Sequence, residues 1–331
     1  MFITNNNNLV KNTTHKVVLP FYVYAAVAYL AATILLSIST TAFTAHYFHP
    51  RTLAITHTMA LGWGTMIILG ASHQLVPVLI EARLYSNLLA YFSFVLAGIG
   101  IPLLVYSFFA FQFGLIAQSG AVLINAAIIC YLINVAISIL KSKKENVHAV
   151  YVFTAALWLM ATTIIGLMLV FNFSYSILPN DSLHYLSLHA HLGIAGWFLL
   201  LVIGVGSRLI PMFLISKYDQ PKRLWAIYFL INGALVSFIL IFLFSTVLLL
   251  NIIPVAALLL ALHLFAHYCY NAYRQRLRKK VDEQVRISLL SILMMAVPVS
   301  LLLVIIALFL FSVAQMNLIL TYGFLIFFGW I

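Results

Sequence analysis

Charge is what this chain has least of. Asp, Glu, Lys and Arg make up 7% of its 331 residues, against roughly 25% in soluble domains. Sixty-five per cent of the residues are hydrophobic. A water-soluble core could not hide that much apolar surface, so lipid is part of the solvent. Acidic residues are scarcer still: Glu81, Glu145, Asp181, Asp219, Asp282 and Glu283 are the whole set, all in or beside predicted loops. No carboxylate is predicted at mid-membrane, which argues against the carboxylate relay of a proton pump or proton-coupled carrier. The two cysteines, Cys130 and Cys269, are too few for a disulfide framework and lack CxxC spacing. Both fall in apolar runs and read as small core residues. A nucleotide loop, a nucleophile elbow and an HExxH pattern are all missing.

What is present is a series of apolar runs near the length of about 20 residues that a membrane span needs. They cover roughly 18–45, 53–80, 88–111, 117–140, 149–173, 185–215, 224–250, 252–270, 287–312 and 317–331. The first is too long for a signal peptide and lacks a small-residue cleavage pattern, so it counts as a span. The last stops at Ile331 without a polar flank and reads as a chain ending inside a helix. The expected fold is an all-α polytopic membrane protein of about ten transmembrane helices. An N-terminus on the cytoplasmic side puts sixteen of the seventeen basic residues inside, counting Arg208 near the inner end of its helix, and leaves only Arg51 outside. The net charge of +11 is therefore a topology and anionic-lipid signal rather than a nucleic-acid signal. The expected location is the cell inner (plasma) membrane.

The second and sixth spans repeat each other. THTMALGWGTMIILGASHQLVPVL from Thr56 aligns without gaps on AHLGIAGWFLLLVIGVGSRLIPMF from Ala190. The shared positions are His57/His191, Gly62/Gly196, Trp63/Trp197, Gly70/Gly204, Leu75/Leu209 and Pro77/Pro211, all at one constant offset. Four helices fit in that interval. A weaker echo links Asn134 before KSKKE to Asn271 before RQRLRKKVDE. Gly329-Trp330 follows Gly196-Trp197 by an interval one position shorter, as in a third copy with Phe324 in the histidine position. The reading is one membrane domain of four-helix units related about the membrane normal: approximately 17–148, 149–286 and a partial 287–331. Its glycines would let neighbouring helices approach closely.

Eleven histidines against six acids is unusual for such a chain, and ionisable groups in a bilayer tend to mark function. His46, His49, His57, His184, His189 and His191 fall at or near the outer end. His73, His148, His263 and His267 lie toward the inner side. His57 and His191 hold equivalent places about one turn inside their helices, where a neutral imidazole can ligate haem iron or another metal. His189 and His191 stand about 200° apart on a regular helix and cannot both face one metal, whereas His184 and His191 share a face. His263 and His267, at i and i+4, could chelate or be solvated near headgroups, as could His73. Arg208 lies about 25 Å along the helix from His191, too far to serve the same haem.

These residues resemble subunit I of the haem-copper oxidase superfamily, in which the second helix carries a low-spin haem histidine near the outer side, followed by a Gly-rich stretch ending in LVP. Here His57 is followed by GASHQLVPVL. The resemblance implies twelve helices in three four-helix arcs and an N-in topology. It carries His57 over as a low-spin haem ligand, and it places His189 and His191 on the helix that supplies a copper ligand. The seventh span, LWAIYFLINGALVSFIL, has no histidine pair and the tenth has no HxH, so the high-spin haem ligand and two copper ligands are absent. The HAH segment followed by Gly196 is also similar to the NnrS family, membrane proteins linked to nitric oxide response and associated with haem and copper.

The expectation is a haem-binding, oxidoreductase-like protein that handles electrons or O2/NO without a complete haem-copper centre. It would hold haem b through His57 with His191 or His189, and its electron donor would be a cytochrome c, a quinol or a copper protein. The rivals are a copper site or NnrS-like stress protein built on His184, His189 and His191, and a transporter or assembly factor.

Overall fold

The computed structural model describes residues 13–142, 146–311 and 316–330. Lys11, Lys143, Lys144, Glu145 and Ile331, on which parts of the topology reading fall, lie outside these. The described residues are helical throughout, joined by short turns: α1 His15–Ser37, α2 Pro50–His57, α3 Met66–Ile80, α4 Asn87–Ala110, α5 Leu115–Leu140, α6 Val147–Tyr175, α7 Leu186–His191, α8 Leu200–Phe213, α9 Pro221–Phe244, α10 Ile252–Arg274, α11 Glu283–Met294, α12 Ala296–Leu310 and α13 Met316–Gly329. Among the described residues nine continuous helical rods are long and apolar enough to cross a bilayer, and Asn317–Gly329 is a shorter apolar helix. Large apolar side chains such as Leu30, Phe229 and Phe244 point outward, as lipid requires and water would not tolerate. The chain is a multi-pass helical membrane protein.

Two of the rods are not regular helices. α2 runs into α3 through an eight-residue π-helical stretch, Thr58–Thr65, and α7 runs into α8 through another, Leu192–Leu199. Each begins at the residue after His57 or His191. A π turn bonds i to i+5 and so inserts residues into the winding, a departure found disproportionately at functional sites. The two stretches touch. Trp197 donates its indole N–H to the Thr65 hydroxyl at 3.1 Å, and a Cβ on Gly64 would stand 2.9 Å from Phe198 Cε1.

The aligned glycines do the same job in both halves. A Cβ on Gly62 would lie 2.9 Å from the Ala28 Cβ, and one on Gly70 would lie 2.8 Å from the Phe21 Cβ, both on α1. Gly196 meets the Trp158 Cβ at 2.6 Å and Gly204 meets Tyr151, both on α6. Phe21 and Ala28 are spaced along α1 as Tyr151 and Trp158 are along α6, so the glycine pairs meet matching positions. Close backbone approach through glycine is the usual way membrane helices gain packing where lipid offers no hydrophobic drive.

At the end of the bundle that carries the N-terminus, polar clamps fix the turns. Asn134, fully buried, accepts from the Ser86 N–H and donates to the Ser86 carbonyl, both at 2.9 Å. Ser138 accepts from the Tyr85 N–H at 2.9 Å. Asn134→Ala strands both backbone groups of Ser86, and an unpaired buried group costs about 1–3 kcal/mol. The expected result is a marked fall in the thermal midpoint of the detergent-solubilised protein, followed by size-exclusion after heating, with Asn134→Asp intermediate because it keeps the acceptor.

Candidate functional site

His57 closes α2, and its Nδ1 donates to the Leu53 carbonyl one turn back at 2.7 Å. A carbonyl can only accept, so Nδ1 carries the proton and, in the neutral ring, Nε2 carries the lone pair. His189 of α7 donates from its own Nδ1 to the Thr162 carbonyl of α6 at 3.0 Å, which fixes the same tautomer. The two imidazole centres lie 6.2 Å apart with their planes 16° from parallel. Phe108 of α4 rests against His57, with centroids 4.4 Å apart. Gly166 of α6 makes room for His189: a Cβ there would stand 2.9 Å from the His189 Cε1.

Both histidines line one cavity of about 220 Å³, walled largely by apolar groups such as Leu104, Ile124, Leu159 and Trp197. Common ligand pockets hold roughly 300–1,000 Å³, so this space is small. One polar side chain in its wall is incompletely matched. The Asn125 amide nitrogen donates to the Ala121 and Thr163 carbonyls, while its buried Oδ1 has no partner.

The histidines expected to cooperate are separated. His191 does not join His57 in its slot. Its Nδ1 donates to the Ser187 carbonyl at 2.7 Å, and with His184 it lines two other cavities. His189 therefore faces His57 while His191 faces away, as their angular separation on the helix requires. Among the described residues no group of three His, Cys, Asp or Glu side chains could hold a metal ion, so the set His57, His184, His189 and His191 does not form a single ligand cluster. His46 and His49 serve the turn before α2, their Nδ1 atoms accepting from the Phe48 and Arg51 N–H groups.

The inner histidines divide as well. His263 and His267 occupy the exposed face of α10. His148 is buried, with Nδ1 against the Ser207 hydroxyl at 2.8 Å. His73 corrects the expectation of a solvated group near headgroups. It is fully buried between Phe21 and Tyr131, and neither ring nitrogen has a partner. The sequence placed it near the inner end of its run but could not show that α1 and α5 close over that face.

No family model matches the chain, and neither does any curated protein.

Proposed function

We propose that the chain is a haem-binding membrane protein in which His57 and His189 are the two axial ligands of one b-type haem, serving electron transfer or O2/NO-related chemistry. The spacing of the two rings carries this reading. Metal–nitrogen bonds of about 2.0 Å on opposite sides of one ion place two imidazole centres about 6 Å apart, and here they lie 6.2 Å apart. Two imidazoles are few ligands for a bare ion, whereas a porphyrin brings four nitrogens of its own and takes histidine as its axial partner. The cavity that both rings line is largely apolar, as a porphyrin face requires.

When bound, haem iron supplies a one-electron couple whose potential depends on its axial ligands and burial. The chain's own residues set those conditions. The Leu53 and Thr162 carbonyls hold the two rings in one tautomer and orientation, the usual outer support of a ligating histidine. The apolar walls keep water from the slot. A haem held by both imidazoles would be suited to electron transfer rather than gas binding. In the orientation that puts the basic loops in the cytoplasm of an inner (plasma) membrane, the slot lies toward the outer face. A cytochrome c, quinol or copper-protein donor would reach it from there.

The test is a reduced-minus-oxidised absorption spectrum of purified protein expressed with haem supplied, beside His57→Ala. The wild type is expected to show a Soret band and low-spin bands, which the substitution removes. A wild type with neither Soret band nor iron ends the reading.

A further inference from the structure

Toward the other end of the bundle from His57, helices α3, α8 and α11 part around a cavity of about 330 Å³, within the common ligand range of roughly 300–1,000 Å³. Leu201 to Phe213 of α8 line one side, and Val285 to Met295, through α11, line the other. At 1.5 Å per residue these walls run for about 18 and 15 Å along their helices. The hydrocarbon of one leaflet is about 15 Å deep, half of a core of about 30 Å. The cavity is therefore a groove one leaflet long. Small residues, Ala71, Ser72 and Gly206, keep it open, while Phe213 and Ser288 form an exposed rim.

The hydroxyls in its walls are already engaged within their own helices. Ser72 donates to the Leu69 carbonyl at 3.0 Å, Ser288 to the Gln284 carbonyl at 2.9 Å and Ser291 to the Ser288 carbonyl at 2.9 Å. What remains is an apolar trough that suits a hydrocarbon chain.

The mouth of the groove has the opposite character. The Leu277 N–H donates to the Ile215 carbonyl at 3.3 Å, and Ser216 and Arg276 form an antiparallel bridge. The loop between α10 and α11 is thus pinned to the turn after α8, beside Phe213. It brings Arg276, Arg278, Lys279 and Lys280 to this end, with Arg286 in the first turn of α11 and Lys217 in the facing turn. The acids nearby in sequence are Asp219, Asp282 and Glu283, and Asp282 pairs with Arg278 at 2.9 Å. Positive charge is left in excess. Lys279, Lys280 and Arg286 are exposed. The Arg276 guanidinium lies 3.9 Å from the centre of the Tyr273 ring, and its buried Nε has no partner.

We propose that this is a binding site for one anionic phospholipid, with an acyl chain in the groove and the phosphate among the basic side chains at its mouth. Basic clusters beside membrane helices attract anionic headgroups. A zwitterionic lipid offers the same chain without the net charge, and free phosphate offers the charge without the chain. An anionic lipid satisfies both ends of the site. This inference is independent of the haem reading.

The experiment uses the full chain purified in detergent and stripped of lipid by prolonged washing. It reads bound phospholipid by native mass spectrometry and the shift in thermal midpoint on adding a probe. The probes are dioleoyl-phosphatidylglycerol, dioleoyl-phosphatidylcholine and inorganic phosphate. The wild type is expected to bind one phosphatidylglycerol per chain, with a rise in midpoint that neither of the other probes matches. Lys279→Gln, Lys280→Gln and Arg286→Gln combined change only exposed side chains. That variant should keep the lipid-free midpoint and lose the preference for phosphatidylglycerol over phosphatidylcholine. Ser288→Trp fills the groove from its exposed rim and should abolish phosphatidylglycerol binding with every charge in place. Equal effects of the two lipids on the wild type overturn the proposal, as does an unchanged preference in either variant. The same rise with inorganic phosphate overturns the lipid assignment.

Discussion

His189→Ala, with His57 intact, is expected to turn the low-spin bands of the proposed haem into a high-spin spectrum that gains carbon monoxide binding. The reason is geometric. The His57 ring is held by Leu53 within its own helix, so its orientation does not rest on His189, and in the proposed site it would remain as the one protein ligand. Gly166→Ala is the milder form of the same change. A methyl 2.9 Å from the His189 Cε1 forces the ring aside without deleting it, and a mixture of low- and high-spin forms is expected. The readout is the visible spectrum of the ferric protein, with carbon monoxide difference spectra as the second measure. A His189→Ala protein whose low-spin bands are unchanged would assign that bond elsewhere.

Gly204→Val is expected to disrupt assembly strongly. Even a Cβ at this position collides with Tyr151, and the Tyr151 ring cannot swing away freely because its hydroxyl donates to the Leu224 carbonyl at 2.7 Å. Overpacking of a tight core costs about 1–3 kcal/mol and more where backbones must part. The expected cost lies at that upper end, about 3 kcal/mol or above, seen as loss of the monodisperse peak in size-exclusion after mild solubilisation. Gly233→Val is the control. It lies within a helix of the same protein, but no atom stands within 4 Å of a Cβ there, so a near-normal profile is expected. Equal damage from both would mean that glycine matters here for helix propensity rather than for contact.

The broad architecture could be read from composition and run length because a bilayer constrains both. Every backbone group must be satisfied internally, so a run of apolar residues has one outcome. The aligned glycines were equally readable, since a six-position match with no gaps is hard to reach by composition alone, and each glycine proves to sit against a neighbouring helix. The pairing of His57 was not readable. Regular helical geometry showed that His189 and His191 diverge, but which of them faces His57 depends on how the second and sixth spans lean together, and that is set by Gly64 against Phe198 and Trp197 against Thr65. Gly166 and Thr162 carry no sequence signal at all. They matter only because His189 crosses to α6. Tyr322 was hidden for a related reason: the histidine position of the third copy falls on Phe324, and the ring beside His191 lies two positions earlier.

The π stretches divide each of the two long rods into an outer and an inner piece whose faces are set independently. In an unbroken helix the direction of His57 would dictate those of Gly70, His73 and Pro77, since each residue turns the winding by about 100°. With surplus residues taken up in Thr58–Thr65, the end that carries His57 answers to the cavity it lines, while the inner end answers to α1 and α5. Loss of one residue from that stretch would therefore act less as a shortening than as a twist. His57 would stay in place, while the seam that seats the rod against its neighbours would turn toward lipid.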